Sequence, residues 1–191
     1  MDLALAFEDS QPFKLTVDQY HDLMEQGVVE EGSNVELLEG MIVSMNSQAV
    51  SHTFLSFELA VRLREALKEI GSPLVAVTTP TVSMPPNNAL DPDVAVTDAP
   101  EMGPGFLPVS GVRLLIEVSR TTLRKDMKVK RDIYAQAGVP EYWVVDVNKA
   151  EVHRFAEPAE GVYRQEQPIP LAGPLASLTI PDLAIDGSAI L

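Results

Sequence analysis

The stretch VRLLIEVSRTTLRKDMKVKRDIYAQAGVPEYWVVD, residues 112–146, decides the fold. Its first seven residues are apolar at every position except Arg113 and Glu117, the pattern of a strand buried on both faces. A helix is expected over about 122–137, closed by Gly138 and Pro140. Residues 142–146 then form a second buried strand. A strand, a helix and a strand in that order imply parallel pairing through a right-handed crossover, and hence a mixed α/β sheet.

Outward from this unit, most segments punctuate themselves. Thr16 caps a short helix carrying Val17, Tyr20, Leu23 and Met24 and ending near Gly27. Residues 28–34 read as a loop. Two apolar runs, 35–38 and 41–45, flank Glu39-Gly40 and predict a hairpin. Ser51 is the expected cap of a helix reaching Ile70, with Leu55, Leu59, Leu63, Ala66, Leu67 and Ile70 on one face. Short strands are expected at 74–77, 81–84 and 93–96, with a Pro85-Pro86-Asn87-Asn88 turn among them. Residues 7–12 read as a loose start and 100–108 as a loop. A terminal hairpin is expected from 152–155 and 162–165, followed from Pro168 by a proline-rich, exposed apolar tail.

The 191 residues are read as one domain, 1–191, long enough to bury a core without disulfides or a structural metal. With 46% hydrophobic and 22% charged residues, the composition is that of a globular protein. The chain has no cysteine, which excludes a disulfide scaffold, a thiolate zinc site and cysteine catalysis. No apolar run approaches the roughly 20 residues of a membrane helix, and residues 1–6 show no secretory pattern. A cytoplasmic protein without membrane association is the expectation. Its net charge of −14 excludes a protein that coats nucleic acid irrespective of sequence, because phosphate neutralisation carries such binding. A local basic patch, or cations held by carboxylates, still permits contact.

Three charged residues stand where core is expected. Asp93 opens a strand after Pro92, and Glu117 interrupts the most apolar strand. A carboxylate there costs several kcal/mol unless it faces solvent or meets a cation. On a helical wheel Lys130 falls on the inward face with Leu123, Met127, Ile133, Tyr134 and Ala137, while Lys125 and Lys128 point away. Such an ammonium either snorkels to the rim or meets an anion. The crossover packs its helix back over Glu117. Two carboxylates and a lysine suit phosphodiester hydrolysis: Asp93 and Glu117 hold Mg2+ or Mn2+ through oxygen, and Lys130 positions water or neutralises developing charge. No dinucleotide, Walker A or nucleophile-elbow motif occurs, and His21, His52 and His153 lack zinc spacing. Trp143 reads as core.

Pro92-Asp93 with Leu115-Ile116-Glu117-Val118-Ser119 resembles the PD-(D/E)XK nuclease superfamily. Arg124-Lys125-Asp126, Lys130, Tyr134 and the run from Ala137 to Asp146, taken with residues 35–40 and His52, are similar to the Uma2 family, formerly DUF820. The resemblance spans about residues 15–185. It implies a restriction-endonuclease-like core, a central mixed sheet flanked by helices with peripheral hairpins. It also implies an endonuclease acting on nucleic acid, DNA first, as a homodimer. The superfamily's lysine lies two residues after the second acid, where this chain has Ser119, so the resemblance makes Lys130 its substitute. An acid of the first hairpin would complete the site: Glu36, within the strand between Val35 and Leu37, is preferred to Glu39, which sits at the turn as a solvated charge or an auxiliary group. His52 is either an auxiliary group or a core-edge residue. The competing class is a nuclease-fold binding or regulatory module without catalysis.

Overall fold

The computed structural model describes residues 12–30, 32–47, 49–98 and 105–190. The loose start at 7–11, and residues 100–104 of the expected loop, lie outside the described residues.

The strand–helix–strand segment forms the middle of a six-stranded sheet. Strand β8 (Val112–Ser119) pairs in parallel with β9 (Glu141–Asp146), and between them runs α3, a broken helix over residues 123–136. Four further strands extend the sheet antiparallel: β6 (Val94–Asp98) and β3 (Leu74–Thr78) on the β8 side, β10 (Glu151–Ala159) and β11 (Val162–Pro170) on the β9 side. This is the mixed α/β architecture expected from the sequence.

Alternation along β8 sorts the two layers. Leu114, Ile116 and Val118 face one side, where they pack with Leu59, Leu63 and Leu67 of α2 (Val50–Glu69). Leu115 faces the other, with Ile133 and Tyr134 of α3 and with Tyr142. Glu117 and Ser119 share the Leu115 side by period-2 geometry. That second layer is completed by a five-stranded sheet of β2 (Met41–Ser44), β1 (Val35–Leu38), β5 (Asn88–Leu90), β4 (Val82–Met84) and β7 (Leu107–Pro108), in that order. The expected hairpin is β1–β2, its turn carried by Glu39 at φ 48° and Gly40 at φ 81°. These are the left-handed values that a two-residue hairpin turn requires. A Cβ on Gly40 would also sit 2.7 Å from the Lys14 Cβ, so the position closes to any larger residue. Helix α1 (Val17–Glu25) begins at the Thr16 cap and packs Tyr20 against Leu37 and Ala89.

Three expectations need correction. Helix α2 starts two residues early, with Ala49 at its N-cap and no side-chain cap, so Ser51 lies inside the first turn. Short strands appear within the Pro85–Asn88 region's continuation and the 100–108 loop, as β5 and β7. The tail is not exposed: Leu171, Leu175, Ile180, Leu183, Ile185 and Ile190 are buried in the α2-side core, Leu175 and Ile185 on the paired strands β12 (Pro174–Ala176) and β13 (Ala184–Asp186) and the others on the segments around them. Among the described residues, no helix is long and apolar enough to cross a membrane.

The tail is docked through Glu141. Its fully buried carboxylate accepts from the Trp143 indole (2.6 Å), the Leu178 and Thr179 amides (2.9 and 3.0 Å) and the Ser177 and Thr179 hydroxyls. Replacing it strands several buried donors, each worth about 1–3 kcal/mol. Glu141→Ala is expected to lose about 3 kcal/mol or more, lowering Tm by roughly 6–12 °C in a chain of this size. Thermal unfolding checks this; an unchanged Tm would mean the tail is held by its apolar contacts alone.

Candidate functional site

Where the two sheets and α3 meet, a cleft of about 410 Å³ opens. Its polar lining gathers five acids, Glu36, Asp91, Asp93, Glu117 and Asp126, with Lys125, Lys130, Arg120 and His52. Each comes from a different local logic. Glu117 is the inward residue of β8. The pairing of Val94 with Ile116 puts Asp93, one step earlier, opposite Glu117 on the same face. Glu36 lies on the buried side of the first hairpin, brought in by the second sheet.

Lys130 binds these elements together. Its Nζ, nearly inaccessible, lies 2.8 Å from Glu117 Oε1 and 2.9 Å from Glu36 Oε1. Burial alone would strip its proton, but Glu117, Glu36 and Asp126 outweigh that and hold its pKa above the ordinary lysine value. Glu117 also accepts the Tyr134 hydroxyl at 2.8 Å. Burial drives the Glu117 carboxyl well above the usual range, countered by Lys130 and reinforced by Asp93, Asp126 and Glu36. Glu36 is buried too, yet Lys130 and Lys125 together bring it below its ordinary value. Its Oε1 further accepts the Asp91 amide at 3.1 Å.

The sequence wheel misplaces Lys125. Rather than pointing away, Lys125 Nζ reaches Glu36 Oε2 at 2.9 Å. The reason is the helix itself. Helix α3 is an α-helical turn (Leu123–Lys125), a π-helical turn (Asp126–Lys130) and a second α-helical stretch (Arg131–Gln136), with the Arg131 amide donating to the Asp126 carbonyl. In a regular α-helix, positions five apart diverge by about 140°. A turn closed by i→i+5 bonds holds an extra residue and brings Lys125 and Lys130 to one side. Such turns are rare and recur at functional sites. Here it is pinned by Ser119, whose hydroxyl donates to Asp126 Oδ2, and by Tyr142, whose hydroxyl donates to the Asp126 carbonyl at 3.2 Å. Ser119, the position at which the superfamily pattern has lysine, thus shapes the helix that delivers Lys130.

Asp93 is doubly held: Oδ1 meets His52 Nε2 at 2.7 Å and Oδ2 accepts the Val118 amide at 2.7 Å. His52 therefore stands at the cleft rather than at an inert core edge. Glu39, exposed at the hairpin tip, is outside the cleft, whereas Glu36 is inside it. Asp91, Asp126, Lys125 and Tyr134 were given no role in the site from sequence. Lys125, Asp126 and Tyr134 had a signal, in the run that resembles the family; Asp91 belongs to an irregular Leu90-Asp91-Pro92-Asp93 corner with no periodicity to expose it.

The donor chemistry fits a hard divalent cation. Asp91 Oδ1 is buried without a hydrogen-bond partner among the described residues, in the cleft that the carboxylates of Asp93 and Glu117 also line. An orphaned carboxylate oxygen amid oxygen donors is what such an ion satisfies. Among the described residues, the trio of ligating groups within 4.8 Å of one another is His21, Asp22 and Glu25 on α1, outside the cleft. No three cleft acids converge that closely, and Lys130 stands between two of them.

A protein-family model described as "Uma2: Putative restriction endonuclease" matches residues 17–187. A crystal structure of a "putative nuclease belonging to DUF820" from Anabaena variabilis superposes with a TM-score of 0.68 at 14% identity, covering 94% of this chain and 97% of the other. At that identity the likeness is one of fold. No curated protein matches the sequence.

Removing the ammonium leaves the buried Glu117 carboxylate without a cation and Glu36 with Lys125 alone. Lys130→Met is expected to cost about 3–5 kcal/mol, read by denaturant unfolding in EDTA. Without Lys130, burial of Glu117 goes unopposed by that cation and Glu36 keeps only Lys125, so both folded-state pKa values rise and the folded protein binds protons more tightly than it does with Lys130 present. The deficit is therefore smaller near pH 5 and grows as pH rises. Adding Glu117→Gln should restore part of the loss; a pH-independent deficit that Glu117→Gln leaves untouched would count against the pairing.

Proposed function

The chain belongs to the Uma2 family, and from that premise we propose that it is a divalent-metal-dependent endonuclease hydrolysing phosphodiester bonds, with DNA as its first substrate. The observation that carries this reading is the Glu36–Lys130–Glu117 cluster with Asp93 opposite Glu117 in one open cleft. Asp93 and Glu117 would hold Mg2+ or Mn2+, with Asp91 Oδ1 as the further oxygen. When bound, the cation supplies Lewis-acid polarisation of the phosphate and an acidified water.

The chain's own residues supply positioning and charge. His52 and the Val118 amide fix both oxygens of Asp93, so its remaining lone pairs face a set direction. Lys130 stays protonated between its carboxylates. It therefore serves as a fixed positive charge against the negative charge that develops on phosphate as water adds to phosphorus and the P–O bond breaks. General-base work by Lys130 would need a lowered pKa, the opposite of what its neighbours impose. Lys125 aligns Glu36 from the other side and keeps the cleft from accumulating uncompensated negative charge. The homodimer in this reading pairs through the outer edge of β11, which ends the six-stranded sheet, and the setting is cytoplasmic.

Two measurements test it. Cleavage of labelled DNA and RNA should require Mg2+ or Mn2+. It should fall at least about 10²-fold in Asp93→Asn, Glu117→Gln and Lys130→Met, the scale of losing one preorganised electrostatic group. Metal added at about 100 times Kd should stabilise the wild type by about 2.7 kcal/mol, some 5–11 °C in Tm. A protein that binds metal and nucleic acid yet leaves every strand uncut would instead be the binding or regulatory module. Light scattering should give twice the chain mass; a monomer removes the β11 pairing.

A further inference from the structure

Charge is unevenly distributed along this chain. Six of its fourteen lysines and arginines fall within residues 120–131, against a single acid, Asp126. That is a local excess of five positive charges in twelve residues of a protein whose net charge is −14. Two of the six, Lys125 and Lys130, are spent on the cleft carboxylates. Arg131 pairs with Asp132. Arg120 reaches across to the Ser51 hydroxyl at the start of α2. Arg124 and Lys128 are different: both are exposed, and neither side chain makes a hydrogen bond or ion pair to any described residue.

These two cations line a second hollow, of about 520 Å³, together with Thr121, Thr122, Lys125 and Val129. Thr121, Thr122 and Lys125 line the cleft as well, so the hollow opens directly from it. A divalent phosphodiester site handles one phosphate. A nucleic-acid strand lying across it must place neighbouring phosphates close by, about 7 Å apart at most when the backbone is extended, given the 3.4 Å rise per stacked base in a duplex strand. The unpaired cations are found on that side of the cleft.

We propose that the Arg124–Lys128 face of α3 is the backbone-binding track of the nucleic-acid substrate, seating phosphates that flank the one in the cleft. It rests on the nuclease reading for its substrate class but not for its chemistry, since the contact is to phosphate and carries no base specificity. Phosphate tracking of this kind shows itself through counterion release, by a linear fall of log K with log salt.

The test is binding without turnover. Fluorescence anisotropy of labelled duplex DNA, single-stranded DNA and RNA is followed in EDTA. Salt is raised from about 0.1 M, where the Debye length is about 10 Å or less and distant acids are screened. Wild type should bind with a salt slope. Arg124→Ala/Lys128→Ala should bind at least about tenfold more weakly on duplex DNA and lose about 1.8 from the slope, at 0.9 per phosphate contact. Arg64→Ala/Lys68→Ala, an equal loss of exposed charge on α2, should leave both unchanged. An unaltered melting curve in both doubles excludes misfolding. Wild type that fails to bind, a track variant that binds like wild type, or an α2 control that weakens equally overturns the inference. If the track variant loses binding while wild type with Mg2+ or Mn2+ cuts nothing, the track stands and hydrolysis falls. The order of affinity among the three probes assigns the substrate.

Discussion

An ammonium group with almost no access to water sits between two carboxylates from different sheets, and the placement of everything around it follows. Lys130 comes from α3, Glu117 from the central sheet and Glu36 from the smaller one. Hydrophobic packing between layers tolerates sliding, because it is proportional to area and carries no direction. A buried ion pair does not: displacing one partner leaves an uncompensated charge and costs about 3–5 kcal/mol. The cluster adds little net stability over an apolar replacement, yet it fixes the register of two sheets and a helix around the cleft. The unfavourable part of that arrangement is concentrated on Glu117, whose charge burial opposes more strongly than its neighbours relieve.

The helix meets this demand through an irregularity. A regular α-helix offers either Lys125 or Lys130 to Glu36, and the π turn offers both. Its extra residue leaves the backbone less well paired than an α-helix, and the surroundings compensate: Ser119 and Tyr142 hold Asp126 at its start, and Tyr134 reaches Glu117 beyond its end. Arg124 and Lys128 stay outward, where a regular helix also puts Lys128, and the deviation moves Lys125 alone from their face to the carboxylates. The basic segment is thereby divided into cations that neutralise the cleft and cations that remain exposed.

That deviation also marks the limit of what the sequence made legible. Runs long enough to establish a period were readable: the two central strands, α2, the first hairpin. Glu117 stood out because an acid interrupts an apolar strand, and Lys130 because it breaks an apolar helical face. Both inferences needed only a constant period. Lys125 was misplaced because the wheel assumed 3.6 residues per turn through a segment that does not keep it. Strands β5, β7, β12 and β13 are two or three residues long, too short for alternation to register; β5 and β7 extend the sheet of the first hairpin and β4, and β12 and β13 pair with each other. The tail was misread for a related reason. Its prolines and small residues look solvent-bound until Glu141, itself hidden inside an apolar motif, supplies the acceptor that docks them.

Net charge is a poor guide to what such a surface contacts. At physiological ionic strength the Debye length is about 8 Å, so an approaching phosphate responds to the charges within a few side-chain lengths. At that range the cleft's five acids face two lysines, an arginine and a histidine, and the adjoining face of α3 carries unpaired cations. The remaining acids lie over the rest of the molecule, where they act on solubility and on long-range approach. An excess of −14 therefore suppresses prolonged, non-specific association with polyanions while leaving the local contact attractive. A protein that must meet a phosphate backbone, hold one phosphate among carboxylates and then leave it is served by that separation of ranges, and it requires the basic residues to be clustered rather than numerous.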